Sequence, residues 1–234
     1  MDIVEEIGSN ISRFLDALHT EVAHLGKTAD SVEIVAISKT FGPEYVDAAA
    51  TGGLKEFGEN RVQEAKEKIS KIRTTSPLRW HLVGHLQANK ARDAVALFDL
   101  IHSIDHVELA LSLDRHAEQA GKRQDILIQV NTSGEAQKSG CQPGAVDELV
   151  GQVARLQHLR IMGLMTIGPF VADPTPIANS FRILREAFDR LAVTDLNGGA
   201  MRYCSMGMTD DWRIALAEGS NMLRIGRALF GERR

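Results

Sequence analysis

Residues 126–130 read Ile126-Leu127-Ile128-Gln129-Val130, a run that is apolar at four of its five positions. A strand without alternation of polar and apolar side chains is typical of a parallel sheet that is covered on both faces. The flanking residues 107–120 and 146–156 carry apolar side chains at steps of three and four, which predicts a helix on each side of this strand. The stretch therefore indicates an α/β fold.

The same alternation continues outward from this strand in both directions. Further strands are predicted at residues 33–38, 54–57, 79–83, 100–104, 160–165, 201–204 and 222–225. Further helices are predicted at residues 3–25, 62–72, 86–98, 177–191 and 211–218, and another begins at Pro43. Eight strand–helix alternations predict a parallel sheet with right-handed crossovers. We expect a closed (β/α)8 TIM barrel made of a single domain, residues 1–234, and an open doubly wound sheet is the alternative.

Length, composition and charge limit the function. The chain of 234 residues is close to the roughly 250 of one such barrel. A net charge of -4 gives no general attraction to nucleic acid or to anionic membranes, and no apolar run approaches the roughly 20 residues of a membrane span. Cys141 and Cys204 are far apart, and the N-terminus does not resemble a signal peptide. We expect a cytoplasmic protein that binds neither nucleic acid nor membranes.

Lys39 directly follows the first predicted strand. Strand alternation places Val35, Ile37 and Lys39 on one face. A lysine that leaves an apolar wall has a lowered pKa, because burial disfavours its charged form, and such an amine can form a Schiff base with an aldehyde. The alternative is a lysine that extends to solvent at the rim of the barrel.

Two loops near the C-terminus have the composition of an anion site. Ser205-Met206-Gly207-Met208-Thr209 precedes a helix, and Arg224-Ile225-Gly226 follows soon after. Barrels frequently bind phosphate at the loops after their seventh and eighth strands, although glycine and serine are also ordinary turn residues. A Schiff-base lysine opposite a phosphate site describes a pocket for pyridoxal 5'-phosphate (PLP).

Several motifs in order carry a resemblance to a known family. They are residues 36–40 (Ala-Ile-Ser-Lys-Thr), 57–60 with Gln63 and Glu64, 80–90 (Trp-His-Leu-Val-Gly-His-Leu-Gln-Ala-Asn-Lys), 138–140, 163–165, 205–211 and 224–231. With them the chain resembles the pyridoxal phosphate homeostasis proteins, single-domain relatives of the alanine racemase barrel, over essentially its whole length.

The resemblance implies a role for each matching residue. Lys39 matches the lysine that forms the internal aldimine, and Arg224 matches the arginine beside the pyridine nitrogen. Ser205, Gly207, Gly226 and Arg227 match the phosphate cradle, although Arg227 stands where a small hydroxyl residue is common. Asn60, His81 and Met165 match residues around the ring. A permanent cation beside the pyridine nitrogen keeps it unprotonated and weakens the cofactor as an electron sink.

We therefore predict a monomeric PLP carrier for PLP homeostasis that passes the cofactor to PLP-dependent apoenzymes and has no catalytic residue. The related racemases use a second base, a tyrosine from a separate domain, and we do not expect Tyr45 or Tyr203 to replace it. One alternative is a weak PLP-dependent amino-acid racemase or transaminase that works through Lys39. Another is a partner-binding module with a structural cofactor, in which Lys90, Arg92 and Lys138 would contact the partner.

Other signals are interpreted as structural. His81 and His85 are four residues apart, a metal-ligand spacing on helices, but here we expect hydrogen-bonded structural histidines and no metal site. Asp210 and Asp211 are expected to cap the following helix. We expect the solvent-exposed face of the helix at residues 62–72 to carry Lys66, Lys68 and Lys71.

Overall fold

Eight parallel strands close into a barrel in chain order in the computed structural model, which describes residues 2–232. The predicted (β/α)8 barrel is confirmed, and the open doubly wound alternative is wrong because β1 pairs with β8. The strands are β1 (Glu33–Ile37), β2 (Glu56–Glu59), β3 (Arg79–Leu82), β4 (Leu100–Ile104), β5 (Gln124–Gln129), β6 (Leu159–Met165), β7 (Tyr203–Ser205) and β8 (Met222–Ile225).

Helices alternate with the strands around the outside of the barrel. They are α1 (Ile3–His24), α2 (Pro43–Thr51), α3 (Val62–Ile69), α4 (Ala91–Leu97), α5 (Val107–Gln119), α6 (Val146–Val153), α7 (Pro174–Leu191), α8 (Trp212–Ala217) and α9 (Arg227–Phe230). None of the helices within residues 2–232 is long and apolar enough to cross a membrane.

Several elements differ from the sequence predictions, among them β2, the helix before β4 and α9. Strand β2 starts two residues later than residue 54, because its first pairing is that of Glu56 with Arg79 of β3. The helix predicted from residue 86 begins with a 3-10 turn, Ala88–Lys90, and becomes α-helical at Ala91. The short helix α9 was not predicted, since four residues are too few to show a helical period.

Strand alternation divides the buried side chains into two sets. Ala36, Phe57 and Trp80 face the surrounding helices. The barrel interior holds a separate apolar cluster of Val35, Ile37, Val83, Leu100, Leu127, Met165, Tyr203 and Met222. Each fully buried side chain of this size contributes about 1.5–3 kcal/mol of burial free energy. The filled interior is a packed core, as is usual for this barrel.

Candidate functional site

Two adjoining cavities open at the C-terminal end of the strands. Their volumes are about 430 Å³ and about 310 Å³. Both are lined by Ile37, Lys39, Met208 and Arg224, so they are two halves of one mouth. We call them the phosphate side and the ring side, after the roles predicted for the residues that line them.

Lys39 stands at the border between the two halves. Val35 and Ile37 of β1 point into the barrel interior, and Lys39 continues their line beyond the end of the strand. Its side chain is half-buried and lines both cavities. The predicted alternation along β1 therefore brings the amine to the mouth.

Arg224 lies below Lys39 at the end of β8 and is only 4% exposed. Its Nη1 donates to Ser205 Oγ at 2.7 Å, and its Nη2 donates to the Thr166 carbonyl at 2.6 Å. Burial lowers the pKa of Arg224 to about 10, against the opposing effect of Asp211. The guanidinium is therefore still charged at neutral pH, and its two hydrogen bonds fix its direction.

The phosphate side is lined by Thr209, Gly226 and Arg227. Arg227 forms an ion pair with Asp210, and its Nη1 lies 3.6 Å from Glu232 Oε1. Both carboxylates also line this cavity. An anion that binds Arg227 must therefore compete with two exposed carboxylates.

Five of the nine predicted cofactor-binding residues line the mouth: Lys39, Asn60, Arg224, Gly226 and Arg227. The other four, His81, Met165, Ser205 and Gly207, are buried and line neither cavity. Ser205 reaches the site indirectly, since its hydroxyl accepts a hydrogen bond from Arg224.

The backbone conformation at position 207 requires a glycine. Its φ of +97° lies in a region that favours glycine, and an added Cβ would stand 2.6 Å from Ala215 Cβ. Its carbonyl accepts a hydrogen bond from the Arg224 N–H at 3.0 Å. Gly207 thus supports the backbone of the strand that carries Arg224.

His81 belongs to a chain of hydrogen bonds across three strands. Its Nε2 lies 2.5 Å from Glu56 Oε2, and its Nδ1 lies 2.9 Å from His102 Nε2. Because an ionised carboxylate only accepts, His81 Nε2 donates to Glu56. Burial lowers the pKa of His102 well below its usual value, as do the charges of His81 and Arg224. The prediction of a structural histidine is thus confirmed for His81.

Three other predictions are corrected by the structure. His85 is exposed and lines the ring side, so it is not a buried structural residue. Asp211 stands at the N-cap of α8 but makes no capping bond, and its Oδ1 instead accepts a hydrogen bond from the Met208 N–H at 2.5 Å. Asp210 does not cap the helix either, because it pairs with Arg227. Lys68 is buried, because it binds a buried carboxylate.

Several residues of the mouth were not predicted as site residues. Gln129 follows the interior position Leu127 by two residues, so strand alternation would have found it. Lys138 also lines the ring side, and its Nζ donates to the Gly168 carbonyl at 2.8 Å. Glu232 lies in the segment after α9, where no periodic pattern indicates its position.

The barrel and its mouth define the class of protein. The family model described as "Alanine racemase, N-terminal domain" matches residues 14–234. A solved structure of an unknown protein from Bifidobacterium adolescentis superposes with a TM-score of 0.90 at 33% identity, covering 98% of this chain and 97% of that one. PipY of Synechococcus elongatus with PLP bound gives a TM-score of 0.75 at 34% identity, covering 92% of this chain and 100% of PipY.

A relative of known name narrows the class to a family. The pyridoxal phosphate homeostasis protein of Aquifex aeolicus is 37% identical over 224 residues, which is 96% of this chain and 97% of that protein. The chain belongs to the family of pyridoxal phosphate homeostasis proteins, within the alanine racemase N-terminal domain class.

Proposed function

We propose that this chain binds PLP at the barrel mouth and takes part in PLP homeostasis. The observation that carries the proposal is that Lys39 and Arg224 line both halves of one mouth, with Arg227 on its phosphate side. The volume of about 430 Å³ falls within the roughly 300–1,000 Å³ that is usual for small-molecule sites. The PLP-bound structure of the relative PipY supports the choice of ligand.

The chemistry of the lining residues fits this ligand. PLP supplies an aldehyde, a pyridine ring and a phosphate dianion. Lys39 is the amine that holds the aldehyde carbon as a Schiff base. Arg227, with the Thr209 hydroxyl and the Gly226 backbone, binds the phosphate, since a guanidinium matches the geometry of phosphate oxygens.

Arg224 faces the pyridine nitrogen in this proposal. A buried cation raises the cost of a second positive charge nearby, so the nitrogen stays unprotonated. The ring then withdraws electrons weakly, which suits a protein that stores and passes on the cofactor rather than one that turns over amino acids.

The positions of the tyrosines support a carrier rather than a racemase. Tyr203 is buried in the barrel interior, and the Tyr45 ring on α2 packs 4.9 Å from that of Phe41. Neither lines either half of the mouth, so neither is placed as a second base. We further propose that the protein is a cytoplasmic monomer that delivers PLP to apoenzymes.

The absorption spectrum of the purified protein tests the binding site. With added PLP we expect a Schiff-base band in the visible range that is absent in Lys39→Ala. Lys66→Ala is the control, because Lys66 is an exposed lysine of α3 that does not line the mouth. A wild-type protein that stays colourless with excess PLP would contradict the proposal.

The carrier role has a separate test. Loaded protein is incubated with single-enantiomer amino acids and, in parallel, with a PLP-dependent apoenzyme. We expect reactivation of the apoenzyme and no inversion of the amino acids. Inversion at enzyme-like rates that is lost in Lys39→Ala would establish a racemase instead.

A further inference from the structure

The backbone on both sides of Lys39 is held by side chains from β2 and α3. The Ser38 carbonyl accepts a hydrogen bond from Lys68 Nζ at 2.6 Å, and the Ser38 hydroxyl donates to Glu59 Oε1 at 2.7 Å. On the other side, the Thr40 N–H donates to Glu64 Oε1 at 2.6 Å. Both neighbours of Lys39 are therefore anchored to α3, and Ser38 is anchored to β2 as well.

A buried ion pair joins these contacts into one unit. Lys68 Nζ lies 2.5 Å from Glu59 Oε1, and the two side chains are 5% and 0% exposed. The same ammonium lies 3.4 Å from Glu64 Oε1. Buried ion pairs are a weak source of stability, because the loss of hydration offsets the attraction between the charges. The directional contacts of Lys68 and Glu59 to Ser38 indicate that the pair serves geometry.

Thr40 has a backbone conformation that needs such support. Its φ of +71° lies in the left-handed region, where a β-branched residue is an outlier. Conformations of this kind persist when the surrounding structure holds them in place. Here the Glu64 contact holds the Thr40 amide, and the Phe41 N–H donates to the Ser38 carbonyl at 3.1 Å to close the turn.

We infer that Lys68, Glu59 and Glu64 are positioning residues for Lys39, a set that we call the Lys68 clamp. None of the three lines the mouth, so they act through the backbone of residues 38–40. The inference rests on the proposed function, because it assigns the clamp the task of holding the Lys39 amine where the PLP aldehyde arrives. Displacements of about 1 Å can cost about 100-fold in reactions that depend on such alignment.

Two variants loosen the clamp in different ways. Glu64→Ala removes the acceptor of the Thr40 N–H at a half-buried position. The double variant Glu59→Gln with Lys68→Met removes the contact to the Ser38 carbonyl without leaving a buried charge unpaired. Lys66→Met is the matched control, because Lys66 lies on the same helix and its side chain is 56% exposed.

Two measurements are made on each variant, the Kd for PLP by absorption titration and the hydrogen-exchange rate of the Thr40 amide without added PLP. In both clamp variants we expect the Kd to rise by about 10- to 100-fold. The Thr40 amide should exchange faster in Glu64→Ala, whereas Glu64→Gln, which keeps an acceptor oxygen, and Lys66→Met should match the wild type.

The outcomes separate this inference from the proposed function. If the folded clamp variants bind PLP with wild-type Kd, the positioning role is overturned. If the wild type itself binds no PLP, the proposed function fails, and the exchange rate alone decides the clamp. Equal Thr40 exchange in wild type and Glu64→Ala would then refute it, and faster exchange in the variant would support it.

Discussion

Arg224 combines burial and charge at the scale of a single residue. Guanidinium groups are rarely buried unless they are paired, yet this one is held by a hydroxyl and a carbonyl oxygen. Among the groups whose charges oppose the effect of burial on the pKa of Arg224, Asp211 has the largest effect. Within residues 2–232 the cation is thus held by oriented dipoles beside the mouth and not by a direct ion pair with an acid.

The prediction of an exposed Lys68 failed at the same scale. A helical period shows which residues share a face, but it does not show what the neighbouring strand presents to that face. Glu59 of β2 is buried under α3, and it attracts the one lysine of the run that points toward it. Lys66 and Lys71 remain exposed, as predicted.

Gly207 allows a sharp test of backbone conformation. Gly207→Ala introduces a left-handed alanine and a Cβ that stands 2.6 Å from Ala215 Cβ. The control is Gly53→Ala, where φ is +94° and nothing lies within 4 Å. Because only the first variant is overpacked, we expect it to lose about 1–3 kcal/mol more unfolding free energy in urea. Equal losses would show that the packing at Gly207 relaxes freely.

At the scale of elements, hydrogen bonds between side chains join β2, β3 and β4 inside the barrel. Glu56, His81 and His102 each come from a different strand of this group. Burial acts to raise the pKa of Glu56, but the hydrogen bond and charge of His81 lower it, so the carboxylate stays ionised. His102 Nδ1 has no hydrogen-bond partner among residues 2–232.

The buried, neutral His102 at the end of these hydrogen bonds predicts that stability depends on pH. The folded pKa of His102 lies well below that of the unfolded chain, so the unfolded state binds more protons as the pH falls below about 6.5. Below this pH we expect His102 to lower the unfolding free energy by up to about 1.4 kcal/mol per pH unit. The variant His102→Gln removes this loss. The test is to measure the unfolding free energy of the wild type and of His102→Gln at pH 7 and at pH 5. The difference between the two proteins should change between these pH values.

The control for this prediction is His85→Gln, because His85 is exposed. Glu56 does not interfere, since its lowered pKa makes stability fall only below about 4.5, outside the measured range. A constant difference between the wild type and His102→Gln from pH 7 to pH 5 would contradict the assignment of a neutral buried His102.

The loop before α8 and the helix α9 meet in the ion pair between Asp210 and Arg227. Asp210→Asn removes a carboxylate that competes with phosphate for the guanidinium. Because exposed pairs are worth about 0–1 kcal/mol, we expect the affinity for PLP to rise by up to about fivefold, measured by absorption titration.

Asp189→Asn is the control for this effect, since Asp189 pairs with Arg185 on α7 and does not line the mouth. An unchanged or weaker affinity in Asp210→Asn would indicate that phosphate does not contact Arg227. The proposed site would then need another phosphate partner.

At the scale of the whole molecule, the closed barrel couples the mouth to global stability. A ligand that binds only the folded state raises the unfolding free energy by about 2.7 kcal/mol at a hundredfold excess over its Kd. For a chain of this size we expect PLP to raise the melting temperature by about 5–10 °C. Lys39→Ala should show a much smaller rise, and equal rises in both proteins would mean that Lys39 does not hold the ligand.

The sequence by itself determined the barrel. Repeated apolar strands, amphipathic helices and the motif residues around Lys39 all depend on local periods of two and 3.6 residues, which are visible without coordinates. The same local signals placed Lys39, Asn60, Arg224, Gly226 and Arg227 at strand ends, where the structure has them lining the mouth.

Only the tertiary structure decided which residues meet across elements. The contacts of Lys68 to Glu59 and Ser38, the contact of His81 with His102 and the pairing of Arg227 with Asp210 join positions from 9 to 30 residues apart. Such contacts depend on strand register and helix docking, which sum many weak interactions over the whole barrel. A local pattern therefore indicates where Lys39 emerges, whereas the closed fold decides what holds it there.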